Sequence, residues 1–237
     1  MSDATQEFYE KSYSTLGSDA QRRYPNEELC RFMGRRFFPL PQESRSGISI
    51  LEVGCGSGAN LWMLAREGFD SAGIDISAAA IALCEETLRR YNAAADLRVG
   101  SMLSLPWPDG FFSAVIDVFS SYCLSALDFD HFLAESHRVL APKGHLFIYT
   151  PPKASDAWTN PGPSRRIDDH TLEGISRVDS PFSGNAYPFR FTTPDELREQ
   201  AGRAGFAVTF SETTGRTYRS GQEYFEFVVA EVIKIDE

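Results

Sequence analysis

Two carboxylates flank a cluster of glycines in this sequence. Within "EVGCGSGA", Glu52 stands two residues before Gly54, and Gly56 and Gly58 follow; Asp75 lies 21 residues beyond Gly54. Glycine gives a tight turn positive φ and a bare backbone. A helix starting beyond such a turn presents free N–H groups and a partial positive charge, where a ligand carboxylate or phosphate can sit. A carboxylate at Asp75 can accept both hydroxyls of a ribose.

The glycines alone leave two ligands open. Gly54, Gly56 and Ala59 satisfy the dinucleotide pattern G-x-G-x-x-[GA], while Gly54, Gly56 and Gly58 satisfy G-x-G-x-G. Glu52 separates them. A pyrophosphate beside this carboxylate is unfavourable, whereas a free ammonium is welcome. S-adenosylmethionine has that ammonium and a cationic sulfonium, and no phosphate.

The elements that position these residues follow from patterning. Residues 3–40 read as helical: Asn26 is an N-cap, Leu29, Phe32, Met33 and Phe37 share one stripe, and Arg31, Arg35 and Arg36 lie off it as a solvated face or an anion site. "ISILEV" is a strand, "ANLWMLAREG" a short helix, and "DSAGID" a second strand. Ser77 caps "AAAIALCEETLRRYN"; "DLRVG" and "FFSAVIDVFS" are strands; "DFDHFLAESHRVL" is a helix closed by "APKG"; "HLFIYT" is a fifth strand. Repeated β-α-β predicts a mostly parallel sheet with helices on both faces and a ligand site at the strand C-termini. The stretch 151–192 is rich in Pro, Gly and Ser yet carries Trp158, Phe182, Tyr187, Phe189 and Phe191, the texture of a partly ordered lid. Thr193, Pro194 and Glu196 open a further helix with a capping box, which Gly205 ends. "FAVTFSET" and "EYFEFVVAEVIK" then pair antiparallel at a sheet edge.

Composition narrows the class. The 237 residues carry a formal net charge of −10, which argues against nucleic acid or an anionic membrane as the main partner. No apolar run approaches the ~18 residues of a transmembrane helix, and "MSDATQEFYEKSY" has no apolar leader core. Cys30, Cys55, Cys84 and Cys123 form no CxxC pair, and the four histidines have no zinc spacing. The expectation is a cytoplasmic protein with reduced thiols and no metal, in which a homodimer is allowed.

At this point the sequence resembles the class I S-adenosylmethionine-dependent methyltransferases, across residues 48–150 and more loosely in the C-terminal strand pair. "LEVGCGSG" looks like the family's first motif and "GIDIS" like its acidic second step. "VGSMLSLPWPDGFFSAVIDV" and "HRVLAPKGHLFIYT" resemble its later loop-and-strand segments. The resemblance implies a Rossmann-like, seven-stranded, mostly parallel sheet in one domain. Its parts would be an N-terminal helical cap (1–47), a cofactor-binding core (48–150), a lid or substrate insertion (151–192) and a C-terminal helix with a strand pair (193–237).

The resemblance also implies roles. Glu52 and the backbone of Gly54, Cys55, Gly56 and Gly58 would hold the methionine end. Asp75 would take the ribose, Ile76 would pack on adenine, and Ser101 and Met102 would lie at the adenine edge. Asp117 would approach the ammonium, or serve as a strand-end acid with a local partner. Tyr13 and Tyr9 on the first helix would close over the cofactor, or pack in the core. The implied reaction is methyl transfer to O or N of a small-molecule acceptor, with S-adenosylhomocysteine as product. His170 and Tyr122 are the candidate catalytic residues, and Arg165 and Arg166 would meet an acceptor anion or stay solvated. "DVFSSY" lacks the D/N-P-P-Y/F signature of amino-group methylation on nucleic-acid bases. A nicotinamide-dependent oxidoreductase and a non-catalytic cofactor-binding protein are the competing readings.

Overall fold

The structure is a computed structural model that describes residues 3–17 and 21–235. Its centre is a seven-stranded sheet of order β3-β2-β1-β4-β5-β9-β8. The strands are β1 (Ser49–Val53), β2 (Asp70–Asp75), β3 (Asp96–Val99), β4 (Phe112–Val118), β5 (Leu140–Thr150), β8 (Phe206–Tyr218) and β9 (Glu223–Lys234). The first five are parallel, and β9 runs antiparallel between β5 and β8. A two-stranded hairpin, β6 (Thr171–Leu172) with β7 (Phe189–Arg190), lies apart.

Successive strand residues point to opposite faces, and the core divides accordingly. Ile50, Ala114, Ile116 and Phe147 pack on one side; Leu51, Val115, Leu146 and Ile148 pack on the other. Burial on both faces explains why these strands read as apolar runs.

The helices are α1 (Asp3–Leu16), α2 (Glu27–Arg36), α3 (Leu61–Arg66), α4 (Ala78–Arg90), α5 (Ala126–Val139), α6 (Asp156–Thr159) and α7 (Pro194–Arg203). Expected caps are present. The Asn26 side chain accepts from Glu28 N and Leu29 N, Ser77 accepts from Ala80 N, and Thr193 with Glu196 forms the capping box. The helical expectation over 3–40 is met at α1 and α2 but not at residues 21–26 and 37–40, which are irregular; residues 18–20 lie outside the described residues. α1 packs on α4, where Glu10 accepts from the Ser77 hydroxyl at 2.6 Å. That contact places α1 above the C-terminal ends of the central strands.

Three expectations change. "APKG" does not end ahead of the fifth strand. It belongs to β5 as an irregularity that shifts pairing from Phe112–Leu140 to Ala114–His145, with Lys143 at φ 60°. Arg35 and Arg36 are not a solvated face: both pair with Glu231, fully buried on β9. A carboxylate buried there requires cationic partners, and α2 supplies them. Thirdly, the 151–192 stretch is packed. Trp158, Tyr187, Phe189 and Phe191 are buried in the main core.

Candidate functional site

A cavity of about 70 Å³ opens at the C-terminal ends of the parallel strands. Ile74, Asp75 and Ile76 wall it at the end of β2, Gly100 and Met102 after β3, Gly54 after β1, and Phe119, Ser120 and Cys123 after β4. Tyr9 and Tyr13 of α1 close it from above. It therefore crosses four adjacent strand ends, as expected where a doubly wound sheet binds ligands.

The glycine turn is built by close approach. Gly54 has φ +60°, and a Cβ there would stand 2.3 Å from the Ser120 Cβ. Gly56 has φ +52°, and a Cβ there would stand 2.7 Å from the Tyr13 hydroxyl. Both positions need glycine for conformation and for space. Asp75 braces the same turn: Oδ2 accepts from Gly56 N and Oδ1 from Ser77 N, each at 2.9 Å. Burial pushes the Asp75 carboxyl up, against the pull of these donors. Asp75 thus lies on the cavity wall with one lone pair on each oxygen already used.

Glu52 is 2 % exposed, outside the cavity wall. Its Oε1 accepts from Asn60 Nδ2 at 2.5 Å, whereas Oε2 is buried with no hydrogen-bond partner among the described residues. Burial pushes this carboxyl up to about 7. Asn60 is held in turn, because its Oδ1 accepts from Asn26 N at 2.8 Å and Arg22 Nη2 at 3.0 Å. An orphaned buried acceptor costs free energy unless a donor meets it. An ammonium would be a donor of the right charge for this oxygen, although Glu52 itself does not line the cavity.

Other expected residues fall in different places. Gly58 packs on Cys84 rather than the cavity, and Cys55 is buried away from its wall. Ser101 does not line the cavity either; its hydroxyl accepts from Leu103 N. Asp117 is fully buried and faces its own turn, where it takes the N–H and hydroxyl groups of Ser120 and Ser121. It is the strand-end acid with local partners, because the chain reverses right after it with Phe119 at φ 57°. Ser120 reaches the cavity in its place.

His170 is not at the cavity. Its Nδ1 lies 3.8 Å from Glu196 Oε2 at the start of α7. The structure therefore does not bring His170 together with the residues that line the cavity. Tyr122 is buried beside the cavity, and burial pushes its hydroxyl well up, which keeps it protonated. Arg165 pairs with Glu173, while Arg166 donates to the Trp158 carbonyl and stacks on its ring. Sequence reasoning missed Asn60, Ile74, Gly100, Phe119, Ser120 and Cys123. The one available signal was Asn60, a polar residue eight positions after Glu52 where the next helix begins.

No group of three or more acidic, His or Cys side chains able to hold a metal occurs among the described residues. No helix among them is long and apolar enough to cross a membrane.

Comparison with known proteins agrees with this geometry. Residues 50–144 match a family described as methyltransferase domain. The fatty-acid O-methyltransferase of Mycolicibacterium smegmatis is 36% identical over 156 residues, covering 64% of this chain and 54% of that protein. The chain thus spans about half the length of that relative. Among solved structures, a SAM-dependent methyltransferase from Methanosarcina mazei superposes with TM-score 0.70 at 19% identity, over 90% of this chain and all of the other. The Burkholderia thailandensis 1,6-didemethyltoxoflavin-N1-methyltransferase, solved with its substrate and S-adenosylhomocysteine, gives TM-score 0.70 at 15% identity, over 98% of this chain and 88% of that one. Residues 50–144 thus resemble a methyltransferase domain, and the chain shares the fold of the solved S-adenosylmethionine-dependent methyltransferases.

Proposed function

We propose that this protein is an S-adenosylmethionine-dependent methyltransferase acting on a small-molecule acceptor. One observation carries the reading: a single cavity spans the glycine turn, the Asp75 carboxylate and the apolar ends of β2 and β3. Asp75 would take the ribose hydroxyls with its remaining lone pairs. Ile74, Ile76 and Met102 would enclose the adenine. Glu52 would meet the ammonium through Oε2, and Asn60 would keep that oxygen turned towards it. When bound, the cofactor supplies a methyl group already activated by its positive sulfur. The protein's task is to align the acceptor and exclude water, which suits a site closed from above by Tyr9 and Tyr13 of α1. Tyr13, against the glycine turn, offers a π face or hydroxyl to the cationic end. The relative named for a fatty acid favours a small apolar acceptor.

Thermal denaturation tests the reading. S-adenosylmethionine and S-adenosylhomocysteine are expected to raise Tm, and NAD(H) is not. A shift with NAD(H) alone would overturn it and favour the oxidoreductase. Cofactor binding without labelled-methyl transfer to any compound in a metabolite extract would favour a non-catalytic binding protein.

A further inference from the structure

Three tyrosine hydroxyls from distant parts of the chain meet beside the cavity. Tyr9 comes from α1, Tyr122 from the turn after β4, and Tyr187 from the segment before β7. The Tyr9 and Tyr187 oxygens are 2.7 Å apart, those of Tyr122 and Tyr187 2.5 Å, and Tyr9 also bonds Tyr122. Tyr9 is itself a cavity wall, next to Phe119 and Cys123 on the β4 side. Aromatic rings surround the cluster. Phe119 lies 4.3 Å and Phe189 4.5 Å from the Tyr122 ring, Phe8 lies 4.9 Å from Tyr187, and Phe182 stacks on Phe119 at 4.8 Å.

Packing alone does not call for this cluster. Phenylalanine would fill the same space without burying three oxygens. In a closed ring each hydroxyl donates once and accepts once, so every donor is spent on a neighbour. An anion placed against the ring can draw those donors onto itself. Burial holds all three hydroxyls protonated, as donors and not as bases. No basic side chain among the described residues is hydrogen-bonded to them.

We propose that this hydroxyl ring is the polar station of the acceptor subsite, and that the acceptor is an apolar carboxylate. The proposal rests on the methyl-transfer reading for its chemistry. Alcohols and phenols need a base, and the carboxylate on the cavity wall, Asp75, is already held by Gly56 N and Ser77 N. An amine in an aromatic box is stabilised as the ammonium, which has no lone pair to react. A carboxylate is ionised at neutral pH and nucleophilic without help. Neutral donors orient it without the charge neutralisation that a guanidinium would impose. In the transfer, one carboxylate oxygen gives the electron pair of the new C–O bond. The methyl C–S bond breaks with its pair going to sulfur. A methyl ester and S-adenosylhomocysteine result, the two charges cancel, and no proton moves. The apolar remainder of the acceptor would displace Phe182 and Phe119 from their stacked contact.

Titration calorimetry on the full chain tests this with octanoate and 3-phenylpropionate, against octanol and octylamine, with and without S-adenosylhomocysteine. At least one carboxylate is expected to bind more tightly than either comparator. Tyr122→Phe and Tyr187→Phe should each weaken it about fivefold or more, since each removes a donor to a charged group. Binding of S-adenosylhomocysteine should stay within about twofold in both variants, which also reports that they fold. In turnover, KM for the carboxylate should rise and KM for the cofactor should not. Equal or tighter binding of octylamine or octanol would overturn the proposal, as would carboxylate affinity unchanged in the double variant, or no carboxylate binding at all. Carboxylate binding that depends on the tyrosines, in a protein that does not bind S-adenosylhomocysteine, would uphold the subsite and refute the methyl-transfer reading separately.

Discussion

Replacing Glu52 by glutamine separates the cost of a buried carboxylate from its use. In the folded protein burial pushes Glu52 to about 7, against an ordinary 4.5. Between those values the folded state keeps a proton that the unfolded chain has released. Stability contributed by this group therefore falls as pH rises from about 4.5 to 7, and stays lost above. At about 1.4 kcal/mol per pH unit the loss is roughly 3 kcal/mol. Glutamine carries no charge at any of these pH values, and its oxygen can still accept from Asn60 Nδ2. In urea denaturation without ligand, wild type and Glu52→Gln should match near pH 4. By pH 8 the variant should be more stable by roughly 3 kcal/mol, or about 6–12 °C in Tm for a chain of this size. The gain should come with a loss of function. An ammonium bound against Oε2 favours the ionised carboxylate, so the variant should bind S-adenosylmethionine at least about tenfold more weakly. Wild type should release a proton on binding near pH 6, seen as a calorimetric heat that varies with the ionisation enthalpy of the buffer. Parallel stability curves for the two proteins across pH 4–8 would refute the buried-charge argument. Unchanged cofactor affinity would refute the ammonium role.

Two other perturbations test the turn. Asp75→Asn leaves one of the Gly56 and Ser77 N–H groups without an acceptor and removes the charge from the ribose position. It should lower stability by about 1–2 kcal/mol and cofactor affinity about tenfold or more; calorimetry that shows full affinity removes the ribose assignment. Gly54→Ala forces a Cβ to within 2.3 Å of Ser120 at φ +60°. Its destabilisation should exceed roughly 2 kcal/mol in chemical denaturation, and Gly54→Ala/Ser120→Gly should recover only the steric part.

Much of the architecture was legible in local pattern. The β-α-β alternation, the caps at Asn26, Ser77 and Thr193, and the antiparallel pair β8–β9 depend on residues near one another in sequence. The glycine turn and Asp75 were legible for the same reason, since two consecutive strands bring them together. The changed expectations for charged side chains involve partners outside the local stretch of sequence. Arg35 and Arg36 are bound to Glu231 nearly two hundred residues away. His170 was a candidate for its chemistry, and the β6–β7 hairpin turns it towards α7 instead.

The sequence by itself determined where the turn, the strands and the two carboxylates lie, because periodicity, capping and glycine conformation act within a few residues. Only the tertiary structure decided what each acid does. Glu52, Asp75 and Asp117 are all carboxylates at or near strand ends. Asp117 is saturated by two serines, Asp75 shares itself between backbone and cavity, and Glu52 keeps one oxygen unsatisfied. Hydrogen-bond satisfaction depends on which donors are packed around an oxygen, and folding sets that through contacts between distant segments. The meeting of Tyr9, Tyr122 and Tyr187 has the same origin.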